Sequence, residues 1–228
     1  MIHQHIFAAP KPGLTEAEFQ DYWLNVHAVK FASKISQIKR YKIDLRIPAS
    51  FDTTPIWNGV AEIWLNNPAD QIASLQSPEF LQGARADEPN WAAFWATLGL
   101  DCDSDTLKEG TPPDGAVKLL TLYKRVEGLH RDAYRTAHRA ALAAAVAEDP
   151  TVLRHEIAFT RDALYAVGEP PFDAVGHAWF ESAEAAEAAI AGATGAALLP
   201  KTADLVRPDQ LFPMLTREHW VIGPDARP

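Results

Sequence analysis

The sequence predicts an α+β protein built as two tandem copies of one small module, and three internal echoes carry that prediction. The strand-like run Trp57–Leu65 is matched by Phe172–Phe180 at an offset of 115 residues, and both alternate with period two before a helix start. Upstream, Ile38–Leu45 is matched by Val152–Phe159 at an offset of 114. The opening strands and the turns after them, Ile2–Phe7 to Gly13 and Val117–Lys124 to Gly128, lie 115 apart. Collinear matches at nearly one offset point to a duplication.

Each element of the first copy has its own signal. After the strand at Ile2–Phe7 and the turn at Gly13, Thr15 and Glu18 form a capping box. Phe19, Tyr22, Trp23, Val26 and Val29 then recur at helical spacing. Two strands follow, and the second runs into Asn67-Pro68, a good cap followed by a residue favoured at the first helical position, so a helix is expected over 68–75. A closing strand falls near Leu98–Leu107. In the second copy the first helix is Ala-rich, and Tyr134…His138 stands where Trp23…His27 stood. Its second helix spans 183–191 behind the cap Ser182, and its closing strand falls near Leu211–Ile222. The segment from Glu109 to Gly115 holds two Pro and two Gly and reads as a linker, which sets modules at 1–110 and 116–228. The order β-α-β-β-α-β is a ferredoxin-like split βαβ, whose antiparallel sheet carries helices on one face only. The other face needs a cover, for which the second copy is the natural candidate, and the space between two facing sheets is the expected pocket.

Composition narrows the classes. A chain of 228 residues with 47% hydrophobic and 22% charged residues is an ordinary soluble globular composition rather than a disordered one. A formal net charge of −9, without a Lys/Arg cluster, opposes binding to nucleic acid phosphates or anionic lipid. The single cysteine, Cys102, can form neither an internal disulfide nor a thiolate metal site. With no signal-like start and no apolar run of membrane-spanning length, the expectation is a cytoplasmic protein. Its partners are expected to be a small hydrophobic substrate and, as a possibility left open, a second copy of the fused chain.

Half one also resembles a known family. Lys11-Pro-Gly13, Phe19…Tyr22-Trp23…His27-Ala28, Arg40-Tyr41, Trp57…Val60-Ala61-Glu62-Ile63-Trp64, Ser77-Pro78…Phe80 and Asp87-Glu88-Pro89-Asn90-Trp91 together resemble the EthD family of the dimeric α/β-barrel superfamily, across nearly all of half one. Half two is less similar. It keeps Arg125, Arg154, Val175, Trp179 and a helix histidine, but places His177 where half one has Glu62. The resemblance implies an intramolecular dimeric α/β barrel. It also implies cofactor-free lyase, isomerase or dehydratase chemistry on lactones or aromatic polyketide-like compounds, of the kind found in secondary metabolism.

Several residues could carry such chemistry. His27 and His138 read either as core histidines that orient a helix or as general acid/base groups, because the unperturbed imidazole titrates near neutrality. Glu62 and His177 lie mid-strand on the side of Val60/Trp64 and Val175/Trp179, away from the small and aliphatic residues suited to packing under helices. Each reads as an interior acid/base group or as a structural pair. Of Arg40/Tyr41 and Arg154/His155, one residue of each pair points inward; an inward Tyr41 or His155 would add a proton donor or acceptor. Trp23, Arg40, Trp64, Tyr123 and Trp179 are the candidate substrate contacts. His3 and His5 share a strand face but want a third ligand, so no metal site is expected. A haem ligand among His138, His155 and His177 has no local signature. The reading is a cofactor-independent lyase or isomerase, with His27 and Glu62 as the acid/base pair of half one. The rivals are a non-catalytic protein that sequesters a small molecule and, behind it, a monooxygenase.

Overall fold

The computed structural model describes residues 1–51 and 54–227. The chain forms two compact units. One comprises Met1–Arg46, Thr54–Asp101 and Glu218–Pro228, and the other Ile47–Thr53 and Cys102–Arg217.

In the first unit, strand β1 (Ile2–Ala8) is followed by helix α1 (Glu16–Tyr22), which continues as a π-helical turn over Trp23–Ala28. Strands β2 (Arg40–Arg46) and β3 (Gly59–Leu65) and helix α2 (Pro68–Gln76) complete its regular core. The caps behave as the sequence predicts. Glu18 N donates to Thr15 Oγ1 at 3.2 Å while Thr15 N donates to the Glu18 carboxylate at 2.8 Å, and Asn67 accepts from Asp70 N at 2.9 Å. β3 is central and pairs antiparallel with β1 (His5 opposite Glu62) and with β2 (Lys42 opposite Glu62).

The second unit repeats the order of elements. It has β5 (Val117–Arg125), a regular 17-residue helix α3 (Arg131–Ala147), β6 (Arg154–Thr160), β7 (Ala174–Phe180) and α4 (Ala183–Ala191). β7 pairs antiparallel with β5 and β6. Two long strands flank these: β4 (Leu98–Lys108) pairs with β6 over Cys102–Lys108, and β8 (Val206–Ile222) pairs with β5 over Val206–Thr216. The units divide within β4 and within β8, whereas the sequence repeat divides at the linker before β5. Gly13 and Gly128, the matched turn residues, both take left-handed backbone, with φ of 97° and 81°.

Strand alternation sorts the two sheet faces. Ala61, Ile63, Leu65, Tyr41 and Ile43 pack with Phe19 and Trp23 of the helical layer, so Val60, Glu62, Trp64, Lys42 and Asp44 lie on the opposite face. In the second unit Ala174, Ala178, Phe180, Ile157 and Phe159 pack with Tyr134 and Leu142, which leaves Val175, His177 and Trp179 on the other face. The question left open by the sequence is thereby answered. Tyr41 and His155 face the helices, and Arg40 and Arg154 face away.

Candidate functional site

A cavity of about 270 Å³ lies in the first unit between the helical layer and the sheet. Its floor is Tyr41, Ala61 and Ile63, its walls include Trp23 and Trp91, and His27 and Glu88 supply ionisable groups. The local reason for the position of His27 is the π turn over Trp23–Ala28, which inserts one extra residue per turn and re-aims the side chains that follow it. Such turns recur at functional sites, and α3 has none at His138.

Among the described residues, His27 is held through Nδ1. Its Nδ1 lies 2.9 Å from Asp87 Oδ2, and Asp87 also accepts from Tyr22 Oη at 2.8 Å and from Asn90 Nδ2 at 3.0 Å. Trp91 Nε1 approaches the same His27 nitrogen at 3.1 Å, and one nitrogen cannot donate to Asp87 while accepting from Trp91. The carboxylate decides between them. Burial acts to raise the Asp87 pKa, but donation from Asn90, His27 and Tyr22 outweighs it and holds the group below the usual carboxylate range. Asp87 is therefore ionised, Nδ1 carries the proton, and Nε2 keeps its lone pair. Trp91 fixes the ring by packing, with centroids 4.6 Å apart, and itself stacks on Trp23 at 5.0 Å.

Burial lowers the His27 pKa more than Asp87 raises it, so the imidazole is neutral at pH 7. A neutral histidine oriented through Nδ1 beside an apolar cavity has the chemistry to accept a proton. Burial pushes the Tyr41 phenol far above its ordinary range, which keeps it a neutral O–H in the cavity floor. Burial also raises the Glu88 carboxyl, opposed by the Arg85 guanidinium 2.5 Å away.

The other candidates fall elsewhere. Glu62 sits on the opposite sheet face in a buried polar cluster: His3 Nε2 is 2.7 Å from its Oε2, His5 Nε2 is 3.9 Å from the same oxygen, and Lys42 Nζ is 3.4 Å from Oε1. His27 and Glu62 therefore do not share one cavity. Trp64 stacks on His3 at 4.2 Å, and Arg40 is opposite Trp64 in the strand register, also outside the cavity.

In the second unit His177 is fully buried and packs edge-on to Trp179 at 5.9 Å, with Lys118 and Arg154 over the Trp179 ring. Tyr123 Oη donates to Leu198 O at 2.7 Å, a structural role. His138 Nδ1 lies 2.8 Å from Tyr134 Oη, and the ring lines a separate cavity of about 320 Å³. Burial lowers the His138 pKa to about 4; burial and then the neighbouring His138 lower His155 to about 3. Haem does not fit these residues. The cavity at His138 is smaller than a porphyrin, and His155 and His177 are fully buried.

Asp87, Glu88 and Tyr22 are site residues that the sequence did not single out as such, whereas Trp91 opens an apolar run that reads as core or pocket wall. Asp87 is 60 residues from His27, and only the block Asp87–Trp91 within the family resemblance marked it. The apolar run 91–98 makes a single 3₁₀ turn, Phe94–Ala96. Trp91 is buried in the cavity wall and Trp95 is 74% exposed.

Comparison with known proteins agrees with this architecture. Over 99% of this chain and 94% of the other, the fold matches an anthrone oxidase-like protein at a TM-score of 0.66 and 10% identity. A candidate monooxygenase from Lactobacillus acidophilus NCFM matches over 95% and 93% of the two chains, at a TM-score of 0.54 and 10% identity. A chlorite dismutase variant from Candidatus Nitrospira defluvii matches over 95% and 91%, at a TM-score of 0.52 and 11% identity. At such identities the likeness is one of fold. No curated protein matches the sequence, and among the described residues no helix is long and apolar enough to cross a membrane. The EthD domain model matches residues 11–94, which hold the π turn, His27, Asp87 and Trp91. Residues 11–94 of this chain are thus similar to the EthD domain.

Proposed function

We propose that the EthD unit is a cofactor-independent lyase or isomerase that moves a proton on a hydrophobic, cyclic or aromatic small molecule, with His27 as the general base. The observation that carries this reading is the His27–Asp87 pair. Asp87 accepts a hydrogen bond from the protonated Nδ1 at 2.9 Å, which leaves Nε2 unprotonated beside an apolar cavity. Abstraction of a proton next to a carbonyl needs a base of near-neutral pKa, a donor for the developing oxyanion and exclusion of water. Tyr41, neutral and in the cavity floor, is the donor in this reading, and the indoles of Trp23 and Trp91 supply flat apolar walls for a ring system. The enolate so formed leads to isomerisation if the proton returns elsewhere, and to elimination if a β-leaving group departs.

A second reading shares the first step. The anthrone oxidase-like and monooxygenase neighbours suggest that dioxygen could consume the same deprotonated substrate. One experiment separates the readings. A panel of enolisable cyclic and aromatic ketones, anthrone among them, is incubated with the protein in D₂O and followed by NMR together with an oxygen electrode. Exchange at the acidic carbon that drops at least about 100-fold in His27→Ala supports the base assignment. Oxygen uptake with that exchange favours the oxidase reading. Exchange unchanged in His27→Ala removes His27 from the mechanism, and ligand binding with no exchange or turnover on any substrate favours a protein that only sequesters its ligand.

A further inference from the structure

We propose that His3, His5 and Glu62 form a binding site for a first-row divalent transition cation such as Zn²⁺, on the sheet face away from the His27 cavity and independent of the proposed reaction. The strand pattern brings the three together. His3 and His5 are two residues apart on β1, so both rings leave one face, and Glu62 is directly opposite His5 on β3. One donor atom from each residue lies within 4.8 Å of the others, and all three side chains are buried.

The spacing is within reach of a metal site. Bonds of about 2.0–2.1 Å to imidazole nitrogen and carboxylate oxygen in a tetrahedral site separate neighbouring donors by about 3.3 Å. The His3 Nε2 to Glu62 Oε2 separation of 2.7 Å and the His5 Nε2 to Glu62 Oε2 separation of 3.9 Å straddle that value. Small side-chain adjustments in opposite senses would equalise them around an ion. Two imidazoles and one carboxylate are a donor set for Zn²⁺, Co²⁺ or Ni²⁺ rather than for Mg²⁺ or Ca²⁺, which prefer all-oxygen sites.

The surroundings supply the outer contacts that such ligands need. Trp64 stacks on the His3 ring at 4.2 Å and fixes its plane. Lys42 Nζ reaches the other Glu62 oxygen, Oε1, at 3.4 Å and so helps orient the carboxylate, whose Oε2 faces the two histidines. Lys42 in turn is paired with Glu218, which offsets the repulsion between the ammonium and a bound ion.

The test uses the full chain, stripped with a chelator and titrated with Zn²⁺ by calorimetry and with Co²⁺ by absorption. The expected result is one ion per chain and the visible d–d bands of four-coordinate Co²⁺. Quenching of Trp64 emission by Co²⁺ should follow the same curve. His5→Asn and Glu62→Gln should each weaken binding at least tenfold, and His3→Asn/His5→Asn should abolish it, with circular dichroism unchanged. If the wild-type chain takes up no stoichiometric ion, the site does not exist. Equal uptake by wild type and the doubly substituted chain would place the ion on other histidines and overturn the assignment as well. Because His27 lies on the other face, its Ala variant should bind Co²⁺ as the wild type does, so loss of catalysis and loss of metal can be scored separately.

Discussion

Asp87→Asn is the substitution that separates the proposed chemistry from mere packing. The amide keeps the shape of the carboxylate and one acceptor oxygen, so Tyr22 and Asn90 retain part of their bonding. What changes is the group facing His27 Nδ1. An amide N–H there donates to Nδ1 and drives the imidazole proton to Nε2, so the cavity-facing nitrogen turns from base to donor. The loss of a positioned base is worth about 10²–10⁴ in rate, and the variant should fall in that range. The His27 pKa should also fall further, because burial already lowers it and Asp87 is what holds it up. The limb of the pH profile due to the base should therefore move to lower pH.

Stability should respond more gently. Hydrogen bonds to a charged group contribute roughly 1.5–3 kcal/mol each, and with the bonds only partly lost the net cost is about 1–3 kcal/mol, or roughly 3–10 °C for a chain of this size. Because the folded-state pKa of Asp87 is depressed, its contribution is present above the unfolded carboxylate value of about 3.9 and is lost as pH falls through the folded value. The gap in melting temperature between wild type and variant should close as the pH is taken from 6 towards 3. Exchange of the acidic proton by NMR and scanning calorimetry read both effects. Exchange within threefold of wild type with an unmoved pH profile would refute the orienting role of Asp87.

Other perturbations probe the supporting structure. Trp91→Phe keeps a ring against His27 but removes the N–H at 3.1 Å from Nδ1, so exchange activity should change less than tenfold, whereas Trp91→Ala should cost about 3–5 kcal/mol in urea unfolding. In Gly59→Ala the new methyl would lie 2.8 Å from Trp23 Cζ3 and 2.9 Å from Asp44 O, which should destabilise the first unit by about 1–3 kcal/mol and raise KM through displacement of the cavity wall. For His138 and His155 the folded pKa values of about 4 and about 3 lie below the unfolded value of about 6.5, so the unfolded chain binds more protons between them. Stability should decline as pH falls from 6.5 towards 4, by up to about 1.4 kcal/mol per pH unit for each histidine, and His155→Leu should flatten that slope in melting curves taken across the range.

Local signals and long-range geometry differed in how plainly the sequence carried them. The capping box at Thr15/Glu18, the Asn67 and Ser182 caps, the strand alternation and the turn glycines act over a few residues, and each appears where its pattern placed it. Alternation likewise set Glu62 apart from Ala61 and Ile63. The site needed more. A π turn has no strong sequence signature, so the aim of His27 relative to the helix axis was not legible, and neither was its partner, whose choice depends on how the segment 79–91 folds back over α1. Glu62 and His27 are both polar residues near aromatics, and only the structure reveals that the sheet separates them. The third ligand for His3 and His5 was hidden for a related reason: it depends on the β1–β3 register, which pairs His5 with Glu62, 57 residues further along the chain.

The most direct test of the account is a crystal structure of the protein soaked with anthrone or another enolisable aromatic ketone that shows exchange. The ring system is expected between the sheet and the helical layer of the first unit, against Trp23 and Trp91. Its acidic carbon should lie about 3–3.5 Å from His27 Nε2 and its carbonyl oxygen within reach of Tyr41. A ligand seated against Glu62 on the opposite sheet face, with the His27 cavity empty, would contradict it.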